Sequence, residues 1–457
     1  MTGTAVAILL STDIDIRESV MNVVNLNSAR SGSASPCVHL NLNVRGLDTS
    51  ATLAINEESS ALQQAGKTIY RLGLGQSPFP VPDSVVAALQ RNAHQKDYLP
   101  VRGLQALRSA VADFHSRVNG IERSADDVLI GPGSKELMFI LQLVFYGDLV
   151  IPAPSWVSYS PQASIIGRQI RRVNTLAENG WRIQAEELEA ICLEDPGRPR
   201  LLILNYPNNP VGITYSDAEL KAIAMVTERY GMLVLSDEIY SELHYEGEHH
   251  SIARHYPQGT IISSGLSKWA GAGGWRLGTF LFPQGLRWLL DAMAVVASET
   301  FTTVSAPIQY AAIRAFEGGS DITDYLSRSR RILKGLGQSL TGRLRHMGCE
   351  LADPEGGFYL FPDFSLHRER FAACGIKTSR DLCKQLLDDA GVACLPGTDF
   401  GRPATEFTVR MAYVDFDGER ALIAADPETE IDEAFLYEYC PNLINAMDRI
   451  EVWLDRL

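Results

Sequence analysis

Ser264-Gly-Leu-Ser-Lys268-Trp-Ala-Gly-Ala-Gly-Gly-Trp-Arg276-Leu-Gly278 is the stretch on which the fold of this chain turns. It comes after Thr260-Ile-Ile-Ser263, an apolar, β-branched run that predicts a buried strand. Lys268 is the only charge in the stretch before Arg276, and five glycines lie around the two. A lysine in such surroundings is poorly hydrated, and desolvation lowers its pKa toward a neutral, nucleophilic amine. The glycines let a bulky anion approach the backbone, and the Arg276 guanidinium offers a rigid fork for a phosphate. Taken alone, the stretch reads equally well as a glycine-rich loop with an incidental lysine, so its neighbours must decide.

Working outward, Asp127-Val-Leu-Ile130, Asp148-Leu-Val-Ile151, Leu201-Leu-Ile-Leu204 and Met232-Leu-Val-Leu235 are short, unbroken apolar runs. Helix-length segments such as 134–145 separate several of them. Unbroken rather than alternating runs predict a mostly parallel sheet covered by helices on both faces. After about residue 325 the pattern changes: a long basic helix over 325–347, then short strands near 357–361 and 407–411, predict a smaller α+β domain. Toward the N-terminus, 49–65 predicts a helix, and a short strand from Tyr70 opens into the loop Gly75-Gln-Ser-Pro-Phe-Pro80. The expected division is an N-terminal arm over 1–39 with a flexible Ser/Gly/Pro-rich end, and a helix and strand over 40–84 belonging with the smaller domain. A large domain over 85–325 and the small domain over 326–457 complete the chain.

Composition narrows the function. A net charge of −14 argues against nucleic acid, which calls for a basic face. No apolar run reaches the length of a membrane span. Seven scattered cysteines without CxxC spacing fit reduced thiols in the cytoplasm. His244, His249, His250 and His255 lie in a polar Glu/Gly-rich turn and read as a solvated loop rather than a metal site.

In open α/β sheets ligands bind beyond the carboxyl ends of the strands, so the residues just past each strand carry the information. Gly133-Ser134-Lys135 sits at a helix start, where free N–H groups can hold a phosphate. Pro152-Ala-Pro-Ser-Trp156 places a flat ring on a stiff turn, and Asn205-Tyr-Pro-Asn-Asn209-Pro-Val-Gly212 holds amide side chains on a proline loop. Asp237, with Tyr240 three residues on, comes directly after the fourth run, and then come Lys268 and Arg276. Each residue has an ordinary reading alone: a helix cap, a core ring, an Asn-Pro turn. Together they supply a phosphate cradle, a stacking face, a carboxylate for a ring cation, donors for a phenolate oxygen and an amine for an aldehyde. Pyridoxal 5′-phosphate needs that set.

At these residues the chain resembles the class I/II aminotransferases of pyridoxal-phosphate fold type I, the aspartate-aminotransferase-like family. The resemblance rests on 265–278, 205–212 and Ser236-Asp237-Glu-Ile-Tyr240, and runs from about residue 40 to the C-terminus. It implies a homodimer that moves an amino group from an L-amino acid to a 2-oxo acid by a ping-pong mechanism through a Lys268 Schiff base. Lys268 also shuttles the substrate proton. Asp237 pairs with the pyridine nitrogen, Asn209 and Tyr240 hold the ring hydroxyl, and Trp156 stacks on the ring. Gly133, Ser134, Lys135 and Arg276 bind phosphate, and Tyr98 reaches the phosphate of the neighbouring subunit. Arg410 grips the substrate carboxylate, with Gly75 backbone and Asn209 beside it.

Two departures stand out. Gly265 occupies the place of a phosphate-binding serine in many relatives, so Ser264 or Ser267 is expected to stand in. Gln76-Ser77 replaces the more usual Glu-Pro. Residues 298–304, with Phe358 and Tyr359, are expected to border the substrate pocket, and no second arginine is identified there that would mark a dicarboxylate substrate. The same scaffold also supports lyase, cyclase (1-aminocyclopropane-carboxylate-synthase-like) and amino-acid oxidase chemistry and, more remotely, a non-catalytic ligand-sensing regulator.

Overall fold

Leu72, buried in full, and the half-buried α1 helix at Ala51–Gln64 mark where the chain enters its core in the computed structural model, which describes residues 40–457. The arm expected over 1–39 lies outside the described residues. Residues 40–45 hold one exposed 3-10 turn at Leu42–Val44. Residues 46–457 fold together. Strand β1 (Tyr70–Arg71) does not join the main sheet but pairs in parallel with a strand more than three hundred residues later, Tyr70 opposite Val392.

The central sheet is built from β2 (Val128–Gly131), β3 (Asp148–Ala153), β4 (Ile170–Asn174), β5 (Arg200–Asn205), β6 (Leu233–Asp237), β7 (Thr260–Gly265) and β8 (Gly278–Leu281). Their order is β2-β8-β7-β6-β5-β3-β4. Strands β3 to β7 pair in parallel, whereas β8 runs antiparallel to both β2 and β7. The unbroken apolar runs have a direct cause. Leu201 and Ile203 of β5 pack into one core with Leu235 and Ile261, while Leu202 and Leu204 face the opposite core with Val150 and Val234. Each such side chain, taken out of water, contributes about 1.5–3 kcal/mol. Helix α2 (Ser134–Val144), which comes after β2, covers the first face through Leu137, Met138 and Leu141.

Two strands carry no signal in the sequence. β4 is an edge strand, Ile170-Arg-Arg-Val-Asn174, in which only Val173 is buried, so it has no apolar run. β8 begins at the last glycine of the lysine stretch and is too short and mixed to read as a strand.

Helix α3 (Ser320–His346) starts five residues earlier than periodicity suggests, because Ile322 already packs inward. β9 (Tyr359–Leu360), β11 (Leu395–Pro396) and β12 (Val409–Ala412) make a three-stranded antiparallel sheet in the order β11-β12-β9, and β10 (Val392–Ala393) is the partner of β1. The protein is thus α/β, with a mixed, mostly parallel seven-stranded sheet and a smaller domain. Among the described residues no helix is long and apolar enough to cross a membrane.

Candidate active site

Parallel register brings the ends of β5, β6 and β7 level: Asn205 lies opposite Asp237, and Asp237 opposite Ser263. The segments beyond these ends converge on a cavity of about 420 Å³. Its lining includes Ser134, Lys135, Trp156, Asn209, Asp237, Tyr240, Ser267, Lys268, Arg276 and Arg410, together with Gly75. A wider cleft of about 910 Å³ lies alongside, but of these residues it shares only Lys135, so the chemistry belongs to the smaller cavity.

Lys268 Nζ donates to the Gly75 carbonyl oxygen at 2.6 Å and lies 5.6 Å from the centre of the Tyr240 ring. Part of its surface opens on the cavity, yet protein encloses the ammonium. That burial pushes its pKa down to about 8, with Arg410 adding and Asp237 opposing. The amine therefore loses its proton well below the ordinary lysine value of about 10.4. In the cofactor-free protein, arylation of Lys268 by trinitrobenzenesulfonate, tracked by peptide mass mapping, is expected to rise with pH through a midpoint near 8. A midpoint at the ordinary lysine value would contradict this environment.

Asp237, 3% exposed, accepts a hydrogen bond from the Tyr159 hydroxyl at 2.6 Å and one from Ser263 Oγ at 3.3 Å. Burial raises its pKa to about 6, against the pull of those two donors. A carboxylate so enclosed is held fully ionised when a cation lies beside it. Asn205 joins this corner to the proline loop: its Nδ2 donates to the Asp237 carbonyl at 2.8 Å, and its Oδ1 accepts from Asn209 N–H at 2.8 Å. The Asn209 side-chain oxygen is buried without a protein partner.

At the other wall, Gly133 has φ 92° and caps α2, whose first residue is Ser134. A side chain at position 133 would be strained at that φ and would push the Arg276 guanidinium aside, since its Cβ would stand 2.2 Å from Nη2. Arg276 thereby lies against the α2 N-terminus, where unpaired N–H groups carry positive potential. Lys135, whose pKa is lowered by burial and then by Arg276, holds its ammonium 5.1 Å from the centre of the Trp156 ring.

Arg410 is fully buried. Its Nη2 donates to the Gly73 carbonyl, while Nε and Nη1 have no protein partner. The guanidinium lies between the rings of Tyr359 and Phe400, at 5.0 and 5.4 Å from their centres. Unpaired donors on a buried cation are costly unless an anion reaches them. These features fit pyridoxal 5′-phosphate: a phosphate cradle at α2, an ionisable carboxylate at Asp237, an unpaired amide oxygen at Asn209 and a desolvated amine between them.

Not every expected residue comes to the cavity. Ser267 lines it, whereas Ser264 is buried inside β7. Tyr98 is 89% exposed and stands outside the cavity. The histidine-bearing turn is not simply a solvated loop, as its sequence suggests. His249 is buried, stacks on Tyr206 at 5.2 Å and sits 3.1 Å from Glu238, itself wholly buried behind Asp237. Tyr159, which donates to Asp237, is not evident in the sequence, whereas Asn205 stands there as part of the amide-bearing proline loop. The only signal for Tyr159 is its place three residues after Trp156.

Fold and site together define an enzyme of the pyridoxal-phosphate-dependent α/β class. The chain belongs to the aminotransferase class I and II family, whose pattern matches residues 67–419, and that family is pyridoxal-phosphate-dependent. It is 32% identical over 380 residues to the aspartate aminotransferase of Bacillus subtilis (strain 168), covering 81% of this chain and 93% of that one. It is 30% identical over 379 residues to the aspartate/prephenate aminotransferase of Thermus thermophilus, covering 82% of this chain and 94% of the relative. The solved structure of Thermus thermophilus aspartate aminotransferase with maleate superimposes with a TM-score of 0.78 at 28% identity, over 91% of this chain and 99% of that one. The protein is an aminotransferase acting on amino-acid and 2-oxo-acid substrates, and the lyase and regulator readings give way to that.

Proposed function

We propose that the cavity holds pyridoxal 5′-phosphate on Lys268 and that the enzyme takes its amino group from an acidic L-amino acid, with aspartate the leading candidate. The observation that carries this is the charge arrangement: Lys135, Lys268, Arg276 and Arg410 face the cavity against one carboxylate, Asp237. Such a site suits a phosphate ester and the α-carboxylate of an amino acid at Arg410, and the choice of an acidic donor rests on the relatives. Their names point that way, and maleate, bound by the Thermus thermophilus enzyme, is a dicarboxylate.

Ser134, Lys135 and Arg276, with the α2 N-terminus, hold the phosphate, and Ser267 is placed to take the role of the serine absent at Gly265. Trp156 covers one ring face. Asp237, oriented by Tyr159, keeps the ring nitrogen protonated, and Asn209 and Tyr240 hold the ring oxygen. When bound, the cofactor supplies an electron sink for the charge left at the substrate Cα. Arg410 fixes the α-carboxylate with its two unpaired donors, which presents the Cα hydrogen to Lys268. The Lys268 amine takes that proton and holds it for return. Donor and acceptor use the same cavity in turn, as ping-pong kinetics require.

Residues 85–325 form the cofactor-binding domain in this reading, and 326–457 the smaller one. Pairing of β1 with β10 supports placing 40–84 with the latter. The enzyme works as a homodimer in which Tyr98 enters the partner's cavity. The exposed Trp288 and Val295 on the helix Arg287–Glu299 support an apolar contact. A cytoplasmic setting agrees with six free cysteines among the described residues.

The test is a single half-reaction. The cofactor-loaded protein mixed with L-aspartate is expected to yield stoichiometric pyridoxamine phosphate and oxaloacetate, at a rate constant at least about tenfold above that with alanine or lysine. Release of ammonia, or no preference for the acidic donor, contradicts the proposal.

A further inference from the structure

Tyr359 lines the cavity, as expected of a residue bordering the substrate pocket, but has no part in the chemistry above, and it touches three of the segments that carry it out. It lies on β9 opposite Ala412 of β12, so Arg410, two residues along β12, is its diagonal neighbour on the same face. That geometry sets the Arg410 guanidinium 5.0 Å from the centre of the Tyr359 ring. The Tyr359 hydroxyl meets the Tyr240 hydroxyl at 2.7 Å. It also presses on the loop that carries Gly75, where a Cβ would stand 2.0 Å from the phenol oxygen. The Gly75 carbonyl in turn receives Lys268.

Two phenols sharing one hydrogen bond have one donor and one acceptor between them. Burial raises the pKa of both; the Arg410 charge pulls both down, and Tyr359, whose ring it lies against, more strongly, so Tyr359 is favoured as the donor. Tyr240 then accepts, and its own hydrogen is left for the cavity. A carboxylate that neutralises Arg410 removes the bias on Tyr359, and the change passes through one hydrogen bond to Tyr240.

Resting on the proposed function, we propose that Tyr359 is a positioning residue that couples carboxylate binding at Arg410 to the hold of Tyr240 on the cofactor. The two sites are then linked in free energy, and the linkage is reciprocal.

Pyridoxamine phosphate binding to the cofactor-free dimer, monitored by fluorescence with and without saturating succinate, measures the link without turnover. In the wild type, succinate is expected to change the Kd by about fivefold. In Tyr359→Phe, which keeps the ring and removes the hydroxyl, the change should fall below twofold. Tyr245→Phe is the control, because Tyr245 shares a partly buried hydroxyl pair with Tyr413 but does not line the cavity. It should keep the wild-type factor. An undiminished factor in Tyr359→Phe overturns the coupling, as does the absence of any factor in the wild type or an equal loss in Tyr245→Phe. If the wild type binds no pyridoxamine phosphate, the cofactor assignment itself fails, and this inference falls with it.

Discussion

Lys268→Ala is expected to lower transamination by about 10⁴-fold or more and to abolish borohydride-stable attachment of the cofactor. The size reflects two losses at one atom. A positioned general base is worth about 10²–10⁴-fold, and in the proposed function the same amine is the covalent tether. The cavity offers one other amine, Lys135, which sits against Trp156 at the phosphate wall rather than beside Gly75. It cannot serve both ends of the cavity at once. Added methylamine should restore part of the rate, because the space vacated by the side chain opens on the cavity. The measurement is steady-state transamination beside mass analysis of the borohydride-treated protein. A variant within tenfold of wild type, or one still labelled at another lysine, would refute the assignment of Lys268.

The second large effect concerns stability. Glu238 is buried behind Asp237, where its Oε1 accepts from Ser236 Oγ at 2.8 Å and Ser251 Oγ at 2.5 Å. Its Oε2 lies 3.2 Å from Asn119 Nδ2 and 3.1 Å from His249 Nε2. Tyr206 stacks on His249 and meets Ser236 Oγ at 2.7 Å, so the cluster ties the ends of β5 and β6 together directly behind the catalytic face. Burial alone would raise the Glu238 pKa, but His249 and the Ser251 hydroxyl hold it below the ordinary value. His115, buried beyond Asn119, is driven down to about 4 by burial and stays neutral near pH 7.

Glu238→Gln puts an amide NH2 where a buried carboxylate accepts from Ser236, Ser251 and Asn119, so it is expected to cost about 1–3 kcal/mol. A carboxyl whose pKa is depressed on folding contributes stability that is present above its unfolded pKa, near 4.3, and lost as pH falls through the lower folded value. Urea melts should therefore show the wild type converging on the variant as pH drops below about 4. Equal stability of the two at pH 7 would show that the buried carboxylate contributes nothing.

The legibility of this protein divides along a physical line. Segments whose role depends on local chemistry can be read from the chain: the apolar runs of β2, β3, β5, β6 and β7, the glycine stop before α2, and the lysine stretch after β7. β4 cannot, because an edge strand with water on one side can be made of Arg171 and Arg172. The histidine turn misleads for the opposite reason. Its residues are polar and turn-forming, and only the packing of Tyr206 and Glu238 against it buries His249.

By itself the sequence determined the succession of the buried apolar strands and the set of groups at their ends, because hydrophobic periodicity and turn chemistry act between near neighbours. The tertiary structure alone decided which of those groups share a cavity. It seated Ser267 there rather than Ser264, set Tyr159 on Asp237, and brought Tyr359 between Tyr240 and Arg410. The two hydrogen bonds among those contacts join residues 78 and 119 positions apart. Sheet register, which no local stretch encodes, holds them in place.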